Sequence, residues 1–572
     1  MSPFRTVAIA AALALAHPDA NAQHQHHQSA ATPIAASDSV PLFDNLGTYS
    51  KPIRTGVPAA QRYFDQGVRL LYGFNHMEAM LAFREAGRLD ATCAICWWGV
   101  ATTYGPDINQ ELNQERWRQA AEAIANATRL IGSAAPWERA YIEAAYVRFL
   151  PLPNFGDTAQ VRRTRVAQDS AYANAMRRVM ETYPDDPDAA TWYAESLLDL
   201  APWNQWSRDG REPRPGTMDA VNALRRVIVR WPNHPGANHF YIHAVEASSD
   251  PGAAMPSAER LAALMPGASH MVHMPSHVFL RMGRYHDAAM ANQAAVRADT
   301  AYLRTRQALG RYPRYFAHNL EFLWSAAGMA GERAVSLGAA RDQSREWPAD
   351  SVRRWPNTQH FLTTPWVVMV RFGMWDEMLG EPAPPADLKF ARGAWHYARG
   401  FALVRRGRFA EARDNLARLN DIISIAGADS VPSQSINSGR ELLRLASYTL
   451  DGELQAAQGQ RLAALAALRS AVATQDNLRY DEPPPFYFPA RHSLGAVLLQ
   501  YNLPAEAEQV YRTDLAQFDG GAIIPNRNPL NGWSLLGLVQ ALEAQTKPAG
   551  DVRAQFEQAW RHADVRITSS RY

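Results

Sequence analysis

The chain has 572 residues, of which 47% are hydrophobic and 20% charged, a globular composition that excludes a disordered chain. Its 58 basic and 56 acidic residues nearly cancel, to a formal net charge of +2, and no basic stripe stands out, which argues against nucleic acid as a partner. At roughly 150 residues per domain the length predicts about four domains, but a repeat architecture overrides that count, because a solenoid lengthens without a new core.

The N-terminus reads as a secretory leader over residues 1–22. Arg5 supplies the positive region, Val7–Ala16 an apolar run too short to span a bilayer, and Ala20-Asn21-Ala22 a small-x-small cleavage pattern. The expected mature chain begins at Gln23 and is periplasmic or secreted, with no membrane span after leader removal. Residues 23–59 form a polar arm whose start carries His24, His26 and His27, either a transition-metal tract or a plain polar leader. The two cysteines, Cys93 and Cys96, form a C-x-x-C. Outside the cytosol a disulfide is the default for such a pair. A thioredoxin-like motif would need a βαβ context, and a zinc half-site would need two further ligands.

From residue 60 to 572 the pattern is helical, with a recurring turn. Gly73-Phe74-Asn75-His76-Met77-Glu78-Ala79, Gly283-Arg284-Tyr285-His286-Asp287-Ala288 and Gly407-Arg408-Phe409-Ala410-Glu411-Ala412 are examples, followed by Gly459 with Ala464 and by Leu503-Pro504-Ala505-Glu506-Ala507. Small residues at these places let antiparallel helices approach closely. Proline- and glycine-rich interruptions at 202–216 (with Trp203 and Trp206), 381–387 and 481–489 exceed ordinary helix connections. In the last of these Glu482 and Arg491 flank rigid prolines and aromatics, as a ligand-binding lid or as a packing plug. No β region is convincing.

Two neighbouring stretches carry the chemistry. In H-F-Y-I-H-A-V-E, His239, His243 and Glu246 fall at i, i+4 and i+7; in H-M-V-H-M-P-S-H, His270, His273 and His277 fall at i, i+3 and i+7. Each set projects from one helical face. His239 and His273 are 34 positions apart, as are His243 and His277. Imidazole and carboxylate ligands suit zinc, iron or copper, and three such ligands leave a coordination position for water or substrate. Pro275 interrupts the second stretch and predicts a kink or a helix start. Met271 and Met274 read as core packing ahead of soft copper ligands. Further candidates are Glu195, aligned with His243 through the P-D-D-P at Pro184, and Asn319, His360, His492, His76 and the 105–109 loop.

The turn signature and the 34-residue spacing resemble the tetratricopeptide repeat, over roughly residues 60 to 560 in about eight to ten units. The Y-I-H-A-x-E and H-M-P-S-H stretches are similar to those of exported bacterial tetratricopeptide-repeat proteins. The resemblance implies an all-α, right-handed superhelical solenoid of helix pairs, with the candidate site around residues 190–280. It also implies that His239, His243, Glu246, His270, His273 and His277 line the concave groove, and it implies no reaction. The expectation is a divalent transition-metal centre with His239, His243, Glu246, His273 and His277 as ligands. Glu246 and His270 are the catalytic candidates, acting on a small molecule or peptide in the groove. The alternative is a peptide-binding scaffold or a metal-binding protein without catalysis. No nucleotide or other organic cofactor fingerprint is present.

Overall fold

A computed structural model describes residues 40–109, 113–150, 158–306, 312–425, 437–486, 488–518, 520, 523 and 525–572. The expected leader and the histidines His24, His26 and His27 lie outside the described residues.

The described chain is a superhelical solenoid of helix pairs. Pro58–Tyr72 pairs with His76–Leu89, Ala94–Tyr104 with Gln114–Arg129, Pro136–Arg148 with Thr158–Thr182, and Pro187–Leu198 with Thr217–Arg230. Pro235–Val245 follows with Met255–Leu264, and then a broken first helix, Ser269–His273 and Pro275–Arg281, with Tyr285–Thr305. The remaining pairs are Tyr312–Ala330 with Arg333–Glu346, Thr364–Arg371 with Trp375–Gly380, Lys389–Arg405 with Phe409–Ser424, Gly439–Ala457 with Arg461–Asp476, Ala490–Gln500 with Pro504–Asp514, and Gly532–Glu543 with Gly550–Ala559. That is twelve pairs among the described residues, more than the repeat signature predicts. The extra ones lack the glycine turn that the eye follows in the sequence. The described residues form no β-strand, and Trp206 and Pro213 make an isolated bridge. No described helix is long and apolar enough to cross a membrane.

The recurring turn is a Schellman closure, in which a residue in the left-handed region ends the first helix of a pair. Gly283, Gly331, Gly373, Gly407 and Gly459 hold that place with φ between 68° and 79°. At Gly283 the next residue, Arg284, donates its N–H back to Phe279 O at 2.8 Å. In the first pair Asn75 N–H reaches Leu70 O at 2.9 Å in the same pattern, so the left-handed residue there is Phe74, with φ 54°, and not Gly73. The sequence alignment of these turns on Gly73 is therefore one residue out of register. A bulky side chain in this region is costly and is retained where its surroundings determine it. Here the Phe74 ring is directed into the interior, against the histidine cluster.

The coil is tight enough that its turns touch. Pro235–Val245 packs against Pro58–Tyr72, where a Cβ on Gly236 would sit 2.3 Å from the Tyr72 ring. Glycine is what lets these two helices close. Tyr72, Phe64, Phe240 and Trp192 join one continuous core, each burial contributing about 1.5–3 kcal/mol. Residues 40–57 of the arm are pinned to the same region. Lys51 Nζ lies 2.8 Å from Asp186 and from Asp188, and Tyr49 donates to Asp188 at 2.6 Å. At the other end the chain returns upon its middle, stacking His562 on His286 with ring centres 3.7 Å apart. Cys93 and Cys96 are joined by a disulfide, and both are buried at the start of the Ala94–Tyr104 helix.

Candidate metal centre

The first histidine stretch folds as sequence chemistry dictates. His234 caps the Pro235–Val245 helix by accepting from Ala237 N–H at 3.0 Å, and Pro235 opens it. One helical turn then separates His239 from His243, and Glu246 lies just beyond the last turn, on the same side. In the second stretch Pro275 has no N–H to give, and the hydrogen-bond ladder lapses there. Met274 nevertheless stays helical at φ −51° and ψ −34°, with its N–H on His270 O at 3.0 Å. His277 N–H then reaches Met274 O at 3.2 Å, a tightened turn. The proline thus kinks a path that remains helical, and His270, His273 and His277 all face inward. Pro365 likewise starts the Thr364–Arg371 helix after a 3₁₀ stretch. Met271 and Met274 are fully buried core residues.

Three groups of potential ligand atoms result, each with its atoms within 4.8 Å of one another: His239, His243 and His270; His273, His277 and His318; and Glu246, His277 and Glu482. His270 Nε2 is 3.1 Å from His239 Nε2, and His273 Nε2 is 2.8 Å from His277 Nε2. The protons can be assigned from the neighbours. His239 Nδ1 is 2.6 Å from the Tyr72 carbonyl, an acceptor only, so Nδ1 carries the hydrogen and Nε2 the lone pair. His243 Nδ1 is 2.9 Å from Glu246 Oε1, so Nδ1 carries a hydrogen, and its buried Nε2 has no hydrogen-bond partner. His273 Nδ1 is 2.7 Å from Asn292 Oδ1, whose amide nitrogen is committed to Ala288 O at 2.8 Å. His277 Nδ1 faces Glu246 Oε2 at 2.7 Å and also touches Glu482. Tying one ring nitrogen to an acceptor so that the other points its lone pair inward is how proteins prepare imidazole ligands.

Glu246 sits behind His243 and His277, on their Nδ1 side, away from the Nε2 atoms that converge. It shares its group with His277 and Glu482, while His270 joins His239 and His243. Sequence reasoning missed His318, since the repeat register drew attention to the neighbouring Asn319. That residue instead donates to Asp299 at 2.7 Å. Behind His318 lies Glu321 at 3.9 Å, and behind Glu321 lies His360 at 3.7 Å. Glu482 enters from the 481–489 interruption, whose other flank, Arg491, turns away to Asp476 at 2.8 Å.

The expected open concave groove is corrected here: the cluster is enclosed. His239 and His273 have no exposed surface, and His270, at 5%, is the most exposed of the six predicted residues. The Phe74 ring stacks on His270 and His243 at 5.3 and 6.0 Å, Trp203 meets His243 at 5.9 Å, and Phe322 meets His277 at 4.6 Å. The 202–216 loop is fastened by Trp206 Nε1 on Ala244 O at 2.8 Å, so its tryptophans build wall.

Enclosure sets the charges. Burial, and then neighbouring imidazoles, push His239, His270 and His273 well below the usual histidine range, and these rings are neutral. Burial acts in the same direction on His277, but Glu482 and Glu246 outweigh it and raise the ring to about 10. Burial tends to raise Glu246; His277 and His243 outweigh it and hold the carboxyl at about 2. Burial pushes Glu482 up to about 7.

Three other predicted candidates lie elsewhere. Glu195 belongs to a separate buried acidic group with Asp199, whose carboxylate is paired to Arg148. His492 sits between Arg371 at 2.9 Å and Asp514 at 3.2 Å, in a packing network. His76 approaches Asp107 of the 105–109 loop at 3.5 Å.

No protein-family model and no curated protein matches the sequence. Solved structures that resemble the chain include the human IFIT1 dimer with m7Gppp-AAAA, at 12% identity over 90% of this chain and 92% of that one, TM-score 0.31. The APC/C hetero-tetramer Cut9–Hcn1 follows at 11% identity over 89% and 78%, TM-score 0.29. Yeast Tom70 resembles it at 10% identity over 88% and 97%, TM-score 0.27. At such identities and scores none of them transfers a partner or a reaction.

Proposed function

We propose that this chain is a periplasmic or secreted metalloprotein on a tetratricopeptide-like frame, in which His239, His243 and His270 hold a divalent transition-metal ion, zinc, iron or copper. The observation that carries this reading is the fixed orientation of His239 and His243. Each has its Nδ1 hydrogen committed to an acceptor, and with His270 they offer ligand atoms within 4.8 Å of one another. Buried imidazoles with lone pairs facing one another are costly without a shared proton or cation. Three imidazole nitrogen donors match the softness of these metals.

Export rests on the leader pattern alone. A three-imidazole site would leave a coordination position open, and an ion held there would supply Lewis-acid polarisation of a water or a substrate oxygen. Glu246 orients His243 and His277, and the aromatic wall of Phe74, Trp203 and Phe322 excludes bulk water. We therefore read the site as one for small-molecule metal chemistry. A peptide lying in an open groove would not reach rings so enclosed.

The test is elemental analysis of protein purified without a histidine tag and with His24, His26 and His27 replaced by Ala. At least one zinc, iron or copper per chain is expected, with the first-site ion lost in His243→Ala while the helical circular-dichroism signal persists. Folded wild-type protein that takes up none of the three metals rules the proposal out.

A further inference from the structure

We infer that the centre is binuclear, with a second transition-metal site formed by His273, His277 and His318 beside the first. This rests on the reading above that the imidazole cluster binds metal.

The second group repeats the preparation of the first with different parts. Asn292 fixes His273: its amide nitrogen is spent on Ala288 O, so Oδ1 accepts from Nδ1 and the Nε2 lone pair points at His277. Carboxylates face His277 Nδ1 from behind, Glu246 at 2.7 Å and Glu482 in direct contact, and its Nε2 lies 2.8 Å from His273 Nε2, where an ion would displace the proton that the two rings share. His318 comes from the Tyr312–Ala330 helix, with ring centres 5.0 Å from His273 and 6.2 Å from His277. Its Nδ1 lies 3.9 Å from the Glu321 carboxylate, beyond hydrogen-bond reach. His273 and His277 therefore each have an oxygen against Nδ1, and all three rings offer an atom within 4.8 Å of the other two.

The two groups adjoin. His243 and His277 ring centres are 5.9 Å apart, and those of His270 and His273 5.8 Å. Glu246 spans them from behind, Oε1 on His243 and Oε2 on His277, so one carboxylate orients a ligand of each site. Two divalent cations also explain the placement of two buried carboxylates, Glu246 and Glu482, against a single imidazole. Buried carboxylates need compensating positive charge, and a cation on the far side of His277 adds to it. The 34-residue repeat supplies the layout, since consecutive first helices present equivalent faces. Glu482, more than 200 positions further on, closes it.

The experiment is a zinc titration of the metal-free, untagged chain with His24, His26 and His27 replaced by Ala, read as zinc retained per chain after dialysis. Two zinc ions are expected in the parent. One is expected in His318→Ala, one in His239→Ala, and none in the double variant. Glu482→Gln keeps both ions but weakens one, by about 10–100-fold, as loss of an orienting partner does. His318 lies at the edge of the cluster, 26% exposed at its side chain, so its replacement is compatible with folding. Cobalt titration of the unsubstituted cluster gives a second readout: its visible d–d absorption should rise to an endpoint at two equivalents. A parent that retains one zinc, unaffected by His318→Ala and with a cobalt endpoint at one equivalent, overturns the second site and leaves the first standing. A parent that retains no zinc and gives no cobalt endpoint overturns the second site, and one that takes up no iron or copper either overturns both.

Discussion

His239 Nδ1 lies 2.6 Å from the main-chain oxygen of Tyr72, a residue 167 positions earlier in the chain. The contact ties the protonation of a proposed metal ligand to the closure of the coil, because Tyr72 ends the first helix and His239 sits on the helix packed against it. Binding an ion at Nε2 therefore favours the closed coil. Ligand binding to the native state alone adds RT ln(1 + [L]/Kd), about 2.7 kcal/mol at 100 times Kd. Chelator-treated protein should unfold at lower temperature than zinc-loaded protein, and His239→Ala should lose the first site's share of that difference. Identical melting curves with and without zinc for the parent would contradict the linkage.

Glu246 orients a ring in each group, so Glu246→Gln acts on both. The amide retains the size and one acceptor oxygen but loses the charge. Loss of such orienting partners costs about 10–100-fold in metal affinity. The expected outcome in a chelator competition is weakening of that order, with an unchanged circular-dichroism spectrum. An unchanged affinity would mean that the rings are held by packing alone.

Phe74 occupies a left-handed backbone position that five other turns give to glycine. Truncating its buried ring costs about 3–5 kcal/mol, and a non-glycine residue in that region costs roughly 1–2 kcal/mol. Phe74→Gly relieves the second cost and Phe74→Ala does not. Phe74→Gly should therefore be the more stable of the two by about 1 kcal/mol in urea unfolding, the reverse of the order in a helix interior. Both should release metal to chelator faster than the parent, since the ring covers His243 and His270. Greater stability of the alanine variant would refute the left-handed assignment.

Asp514 gives the pH dependence away from the metal cluster. Burial tends to raise its carboxyl, but hydrogen bonds from His492 and Ser534, with the nearby charge of His492 and Arg491, hold it at about 2. The unfolded value is about 3.9. Because the folded value is the lower, the stabilisation is complete above pH of about 4 and is lost as pH falls towards about 2. It amounts to about 2–3 kcal/mol. The stability gap between the parent and Asp514→Asn should narrow by that amount between these pH values. A constant gap would show that the Asp514 carboxyl is not depressed by folding.

The solenoid was legible because each unit repeats a local code: an apolar period of 3.6, small residues where helices cross, and a turn that recurs. The histidine stretches were legible for the same reason, since i, i+4 and i+7 place residues on one face whatever surrounds the helix. The repeat length brought His243 and His277 into register, and their ring centres lie 5.9 Å apart. The disulfide followed from two cysteines three positions apart.

What surrounds that face was decided by how far the coil winds before it touches itself. Tyr72 with Phe74, His318 and Glu482 come from three segments more than 150 residues apart, and no periodicity relates them. Their arrival turned an expected open groove into an enclosed chamber and placed Glu246 behind the rings. It also divided the six predicted residues between neighbouring groups. A helix face is fixed within a few residues of chain, whereas the direction of an imidazole nitrogen depends on which acceptor reaches it from across the fold. The sequence alone determined which side chains share a stripe; only the closed superhelix determined which nitrogen each of them offers, and to what.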